Sequence, residues 1–188
     1  MPTELFTRDV LIASIASGVR HDHLFFWGHT GKKDVPGKYV LSQWWPAEFK
    51  IGKHTYATAE HWMMAEKARL FGDAEIEQQV LATTSPKEAK VFGRKVKGPT
   101  GNDDWSRWDA IKFDTVVKGN VAKFTQNAAL GDWLVSTHPQ VIVEASPADA
   151  IWGIGLAADD LRAGDPSQWR GENLLGFALM KVRAELKR

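Results

Sequence analysis

The chain has 188 residues, 44% of them hydrophobic and 25% charged, with a formal net charge of +1 and no cysteine. That is ordinary for one soluble globular domain with a real core, and it carries no global field toward duplex DNA or an anionic membrane. The absence of cysteine excludes disulfides, thiol catalysis and cysteine-based zinc sites, and suits a reducing cytoplasm.

In chain order, residues 3–17 predict a terminal helix. Its apolar run VLIASIA (10–16) is too short to cross a membrane, and Glu4 and Asp9 before it do not suit a secretion leader. LFFW (24–27) predicts a buried strand, and HTGKKDVPGK (29–38) a polar loop. YVLSQWW (39–45) reads as extended up to Pro46. EFKI and HTY alternate around Gly52-Lys53, which predicts a hairpin. Thr58 is placed to cap the next helix. Helices are expected at 72–83 and 85–96. The second has Ser85 as cap, Pro86 at its first position and Glu88 closing a capping box. GPTGND (98–103) breaks the chain before a long helix over 106–126 and a shorter one over 129–136. QVIVEAS (140–146) predicts a strand, residues 151–173 a long irregular loop, and LLGFALMKVRAEL (174–186) a closing helix. No repeat or linker interrupts this pattern. It is that of a mainly α (α+β) fold: a single compact helical domain with a small β-sheet.

TYATAEHWMMAEKARLF (55–71) sets two charges among apolar side chains. On a helical wheel of about 100° per residue, Ala59, Met63 and Leu70 lie to one side of Glu60 and Lys67, and Met64 and Phe71 to the other. His61, Ala65, Ala68 and Arg69 take the opposite side. Glu60 is the second helical residue, where free amides and the helix dipole favour the carboxylate. An anionic Glu60 suits a base, a nucleophile or a cation stabiliser; its structural alternative is a charge that steadies the helix start. Lys67 follows about 10 Å along the axis and leans back toward Glu60. That gap admits a small ligand group; otherwise Lys67 snorkels past apolar neighbours to water. As a pair, both side chains are expected to open onto one aromatic-lined pocket.

ASPADAIWGIG (145–155) carries the next candidates. Asp149 is a second carboxylate, Trp152 a ring to stack on a base, and Gly153 and Gly155 allow close backbone approach. A turn aspartate beside a core tryptophan is the plainer reading. Gly171-Glu172-Asn173 opens the last helix, where Asn173 as cap leaves amides for a phosphate; an ordinary cap is favoured. Arg94, Lys95 and Lys97 form a basic patch that reads as a solvated face rather than a phosphate clamp. His21-Asp22-His23 lacks a third ligand for a metal, and His54 and His61 read as structural or surface residues. Nine tryptophans are spread along the chain, enough both to pack a core and to line a pocket for a planar ligand.

Together these stretches resemble the NADAR family, which includes the bacterial YbiA-like N-glycosidases. The resemblance rests on FFWG (25–28), LSQWWP (41–46), TAEHWMMAEKARLF (58–71), SPKEAKVFGRKV (85–96), DDWSRWD (103–109), VAKFTQN (121–127), LVSTH (134–138), VIVEASPADAIWGIG (141–155) and GENLLGFALMKVR (171–183). It assigns residues 24–188 to a NADAR/YbiA-like domain and leaves 1–23 as an N-terminal extension, helical and packed on that domain. His29, Gln43, Trp44 and a longer loop between Gly155 and Gly171 depart from the YbiA-like pattern.

The resemblance implies hydrolysis of the ribosyl N-glycosidic bond in early riboflavin biosynthesis intermediates, ribosylamino-pyrimidine 5′-phosphates, with release of ribose 5-phosphate. Its catalytic residues would be Glu60, Lys67 and Asp149. Its substrate-binding residues would be Phe26, Trp27, Gly28, Trp105, Trp152, Gly153 and Asn173. The partner is then a small phosphorylated ribosyl molecule in the cytoplasm, with no membrane, metal or cofactor required. Two alternatives follow from other branches: an ADP-ribosyl hydrolase acting on guanine in nucleic acid or a nucleotide, and a non-catalytic module that binds ADP-ribose or NAD.

Overall fold

The computed structural model describes residues 5–32, 34–98 and 105–187. Of the break expected at 98–103, all but Gly98 lies outside them. The fold is mainly helical with small sheets. Its elements in chain order are α1 (Arg8–Ala16), β1 (His23–Phe26), β2 (Phe49–Ile51), β3 (His54–Tyr56), α2 (Ala59–Leu70), α3 (Ala74–Ala82), α4 (Pro86–Gly93), α5 (Ser106–Gln126), α6 (Ala128–Ser136), β4 (Val141–Glu144) and α7 (Leu174–Leu186). They fall into two compact units. One comprises Met1–Ser42 and Ala129–Arg188, and the other Gln43–Ala128.

In the first unit, β1 pairs in parallel with β4, from His23↔Val141 to Phe26↔Glu144. Val141, Ile142 and Val143 are all buried, as in a strand covered on both faces. α7 lies along β4. A Cβ at Gly176 would come within 2.1 Å of the Ile142 carbonyl, so only glycine permits this approach. α1 starts at Thr7, whose hydroxyl accepts from the Val10 N–H at 3.3 Å. The Arg8 guanidinium ties α1 to the carbonyls of Pro166 (2.8 Å) and Ser167 (3.2 Å). Two local expectations change here. Trp27 leaves the strand ladder and is 63% exposed. The expected extended stretch begins instead as a short 3-10 helix, Lys38–Leu41, which buries Val40 and Leu41 in succession.

In the second unit, β2 and β3 form the expected hairpin, with Phe49 opposite Tyr56 and Gly52 at a left-handed φ of 60°. α3 is capped by Asp73, which accepts from the Ile76 N–H at 3.1 Å. α4 starts with Ser85 and Pro86, and the Ser85 hydroxyl accepts from the Glu88 N–H at 3.3 Å. Its capping box closes through Thr83, whose hydroxyl donates to the Glu88 carboxylate and accepts from the Ser85 N–H.

α2 is central to this unit and packs against α3, α4, α5 and β3. That overturns the two-sided wheel. His61, Ala65 and Ala68, assigned to its far side, are buried like Met63 and Met64. Arg69 joins a network with Glu66, Glu77 and Tyr56 instead of facing water. Thr58 stands at the cap position, yet its hydroxyl pairs with His61 Nδ1 at 2.8 Å rather than with a helix amide. Burial holds His61 below its ordinary pKa, which favours the neutral ring.

Candidate active site

Glu60 sits in the first turn of α2, where its backbone N–H donates to the Gln43 carbonyl at 3.0 Å. The side chain is enclosed, with the residue only 3% exposed. Gln43 is itself anchored from α5. Its Oε1 accepts from Asn120 Nδ2 at 2.9 Å, and the same amide donates to the Val116 carbonyl. The start of α2 is thus held by a buried amide pair, which leaves Glu60 little freedom to move.

Two turns on, the Lys67 ammonium rests 4.2 Å from the centre of the Trp105 ring. Phe71 meets Trp105 edge to face at 5.2 Å, and the Arg107 guanidinium lies 5.7 Å from the Phe71 ring. Lys67 is half-buried, and that burial lowers its pKa from the ordinary lysine value; the nearby charge of Arg94 lowers it further. Trp105 therefore cradles an ammonium by cation–π attraction. The shared open pocket expected for Glu60 and Lys67 is revised. Glu60 is enclosed, whereas Lys67 is only half-buried.

The remaining sequence candidates lie in the other unit and are knit together there. Phe26 ends β1, buried, and its carbonyl accepts from the Ala145 N–H at 2.9 Å. Trp27 and Gly28 follow it, both exposed, with Gly28 at φ 78°. Asp149 Oδ1 accepts from the Ile151 and Trp152 N–H groups at 2.9 and 2.8 Å, an Asx turn that positions the half-buried Trp152. Gly153 is wedged against the carbonyls of Glu144 and Asp149 and accepts from the Asn173 N–H. Asn173 differs from the expected cap. It is buried at a left-handed φ of 54°, with no side-chain bond to the helix amides. Its amide instead donates to the Ile142 carbonyl and accepts from the Glu144 N–H, both at 2.9 Å. Satisfying the backbone of β4 occupies the side chain that the cap reading reserved for the helix start.

No three His, Asp or Glu side chains gather as metal ligands among the described residues. His21 pairs with Ser14 at 2.8 Å, and His23 packs against Phe25 and Trp169. No described helix is long and apolar enough to cross a membrane.

Sequence reasoning missed Lys123. It lies on α5, one turn beyond Asn120, and is completely buried, with its ammonium 5.0 Å from the Phe124 ring. Burial pulls its pKa down to about 7. Its apolar neighbours Val121 and Phe124 were the available signal. The unfolded chain holds this proton at higher pH than the folded one. Between about pH 7 and pH 10 the unfolded state therefore binds more protons, and the contribution of Lys123 to stability rises with pH. The wild-type Tm is expected to gain on that of Lys123→Met by on the order of 10 °C over this interval. Thermal unfolding of both proteins across the pH range checks it; a constant gap would show that Lys123 does not titrate there.

The NADAR domain family model matches residues 25–187. The chain is 41% identical over 168 residues to N-glycosidase R617 of Acanthamoeba polyphaga mimivirus, covering 87% of this chain and 95% of that one. It is 31% identical over 142 residues to N-glycosidase YbiA of Escherichia coli strain K12, covering 76% of each. It is also 39% identical over 131 residues to Protein irg-1 of Caenorhabditis elegans, covering 70% of this chain and 61% of that one. The NMR structure of the E. coli protein YbiA superposes with a TM-score of 0.69 and 26% identity, over 90% of this chain and 88% of that one. The chain belongs to the NADAR domain family and stands among its N-glycosidases, hydrolases that act on N-glycosyl bonds.

Proposed function

We propose that the bond this hydrolase cleaves joins a ribosyl 5′-phosphate to a pyrimidine amine, as in early intermediates of riboflavin biosynthesis, and that ribose 5-phosphate is released. The observation that carries the reading is the layout of α2. It holds an enclosed carboxylate at its positive end and, two turns away, an ammonium acidified by burial. The relatives named N-glycosidases support the reaction type.

Breaking a ribosyl C–N bond builds positive charge on C1 and its ring oxygen, and negative charge on the departing nitrogen. Glu60 stabilises the first, more strongly in an enclosed site than in water, and orients the attacking water. Lys67 answers the second. An ammonium of lowered pKa is a better proton donor, so it protonates the nitrogen as the C–N pair of electrons leaves. Water then adds to C1, and its spare proton passes to the Glu60 carboxylate. No cofactor enters this scheme.

Incubation with ribosylamino-pyrimidine 5′-phosphates is expected to release ribose 5-phosphate, detected by mass spectrometry. Free ADP-ribose from ADP-ribosylated guanine, with no ribose 5-phosphate, would move the substrate to that class. No product from either would point to a binding module.

A further inference from the structure

We infer that Arg94 and Arg107 form an anion subsite next to Lys67 and Trp105, one that takes a phosphate ester of the substrate while Lys67 keeps to the leaving nitrogen. This inference rests on the ribosyl-phosphate reading above and gives that substrate's anionic end its place.

The tertiary fold brings these residues together. The end of α4 presses on α2: a Cβ at Gly93 would lie 2.0 Å from Met64 Sδ. Arg94 follows Gly93 directly, and Lys67 stands three residues beyond Met64, its neighbour along the same helix surface. Lys67 in turn rests on Trp105, Trp105 meets Phe71, and Phe71 carries Arg107. Arg107 is fixed further by donating to the Leu70 carbonyl at 3.2 Å. One turn before Arg94, Lys90 lies 5.8 Å from the Trp44 ring. Cations and rings therefore alternate along this part of the unit, as suits a ligand with phosphate and heterocycle.

Glu66 and Glu77 are engaged by Arg69, Asp109 by Lys112, and Asp73 caps α3. Among the described residues, no carboxylate pairs with Lys67, Arg94 or Arg107. Gathered like charges raise one another's energy, and the effect of Arg94 on Lys67 is that repulsion. A phosphate dianion relieves it, and the planar guanidinium fork of arginine matches phosphate oxygens in pairs. Lys95, which the sequence groups with Arg94, instead lies over Phe92 at 5.5 Å. Arg94 and Lys95 are both exposed; Arg94 differs in following directly on Gly93, which packs against α2.

The test titrates the full-length protein with inorganic phosphate and with pyrophosphate by calorimetry. Binding is expected for at least one. It should weaken by about tenfold or more in Arg94→Glu, a charge reversal at a charge-assisted contact. Arg94→Lys should keep most of it, and Lys53→Glu, a charge reversal at the exposed hairpin turn, should leave it unchanged. Tighter pyrophosphate binding would identify a diphosphate ligand; equal or weaker binding would identify a monophosphate. Equal losses in Arg94→Glu and Lys53→Glu, or no binding of either anion, would overturn the subsite and leave a solvated basic face. The titration needs no turnover, so it separates the two proposals. Local anion binding without ribose 5-phosphate release retains the subsite and removes the reaction. Release with an unchanged KM in Arg94→Glu does the reverse.

Discussion

Glu60→Gln is expected to lower kcat by about 10²- to 10⁴-fold, the usual range for a positioned acid–base group. The side chain keeps its size, so the packing of α2 against its neighbours is preserved. In the proposed reaction, what is lost is the negative charge next to C1 and the oxygen that takes the water proton. Gln43, fixed by Asn120, still receives the Glu60 backbone N–H, so the start of the helix stays in place. The helix-dipole contribution lost is on the order of 1 kcal/mol. KM should move little, because the charge stabilises the transition state rather than the bound ground state. Steady-state release of ribose 5-phosphate, paired with thermal unfolding, checks the expectation. A kcat within threefold of wild type would remove Glu60 from the chemistry.

Lys67→Arg should separate a proton donor from a simple cation. Arginine keeps the charge over Trp105 but cannot give up its proton near neutral pH. If Lys67 protonates the leaving nitrogen, kcat falls by about 10²-fold or more even though an anion is still held. The pH profile gives the sign. The donor must be protonated, so wild-type activity is lost as pH rises through the Lys67 pKa. Burial first, and Arg94 second, place that pKa below the ordinary 10.5. The alkaline limb should disappear in Lys67→Arg and move to higher pH in Arg94→Ala, where the like charge is gone. An unchanged kcat in Lys67→Arg would leave Lys67 as an anchor only.

Much of the local structure is legible because its causes are local. The Ser85-Pro86 pair and Gly52 act within a few residues, and the helix and hairpin they predict are present. The position of Glu60 in the first turn of α2 follows from the same signals. The stretch 39–45 is less legible, since Tyr and Val favour strand, yet Lys38–Leu41 closes as a 3-10 helix. Asn173 illustrates the limit at a helix start. Its residue type fits a cap, but β4 lies within reach and its backbone claims the amide.

The sequence by itself determined the family, the mainly helical class, the element order and the charges carried by α2. Only the tertiary structure decided which of those charges are enclosed. A wheel orders side chains around one helix axis, but the number of sides covered depends on neighbours distant in sequence. α3, α4, α5 and β3 pack on α2, in which His61 and Glu60 are both buried, and Lys123 of α5 is taken fully from water. The same packing sets Trp105 under Lys67 and Arg94 near it, contacts that span tens of residues and leave no periodic trace in the chain.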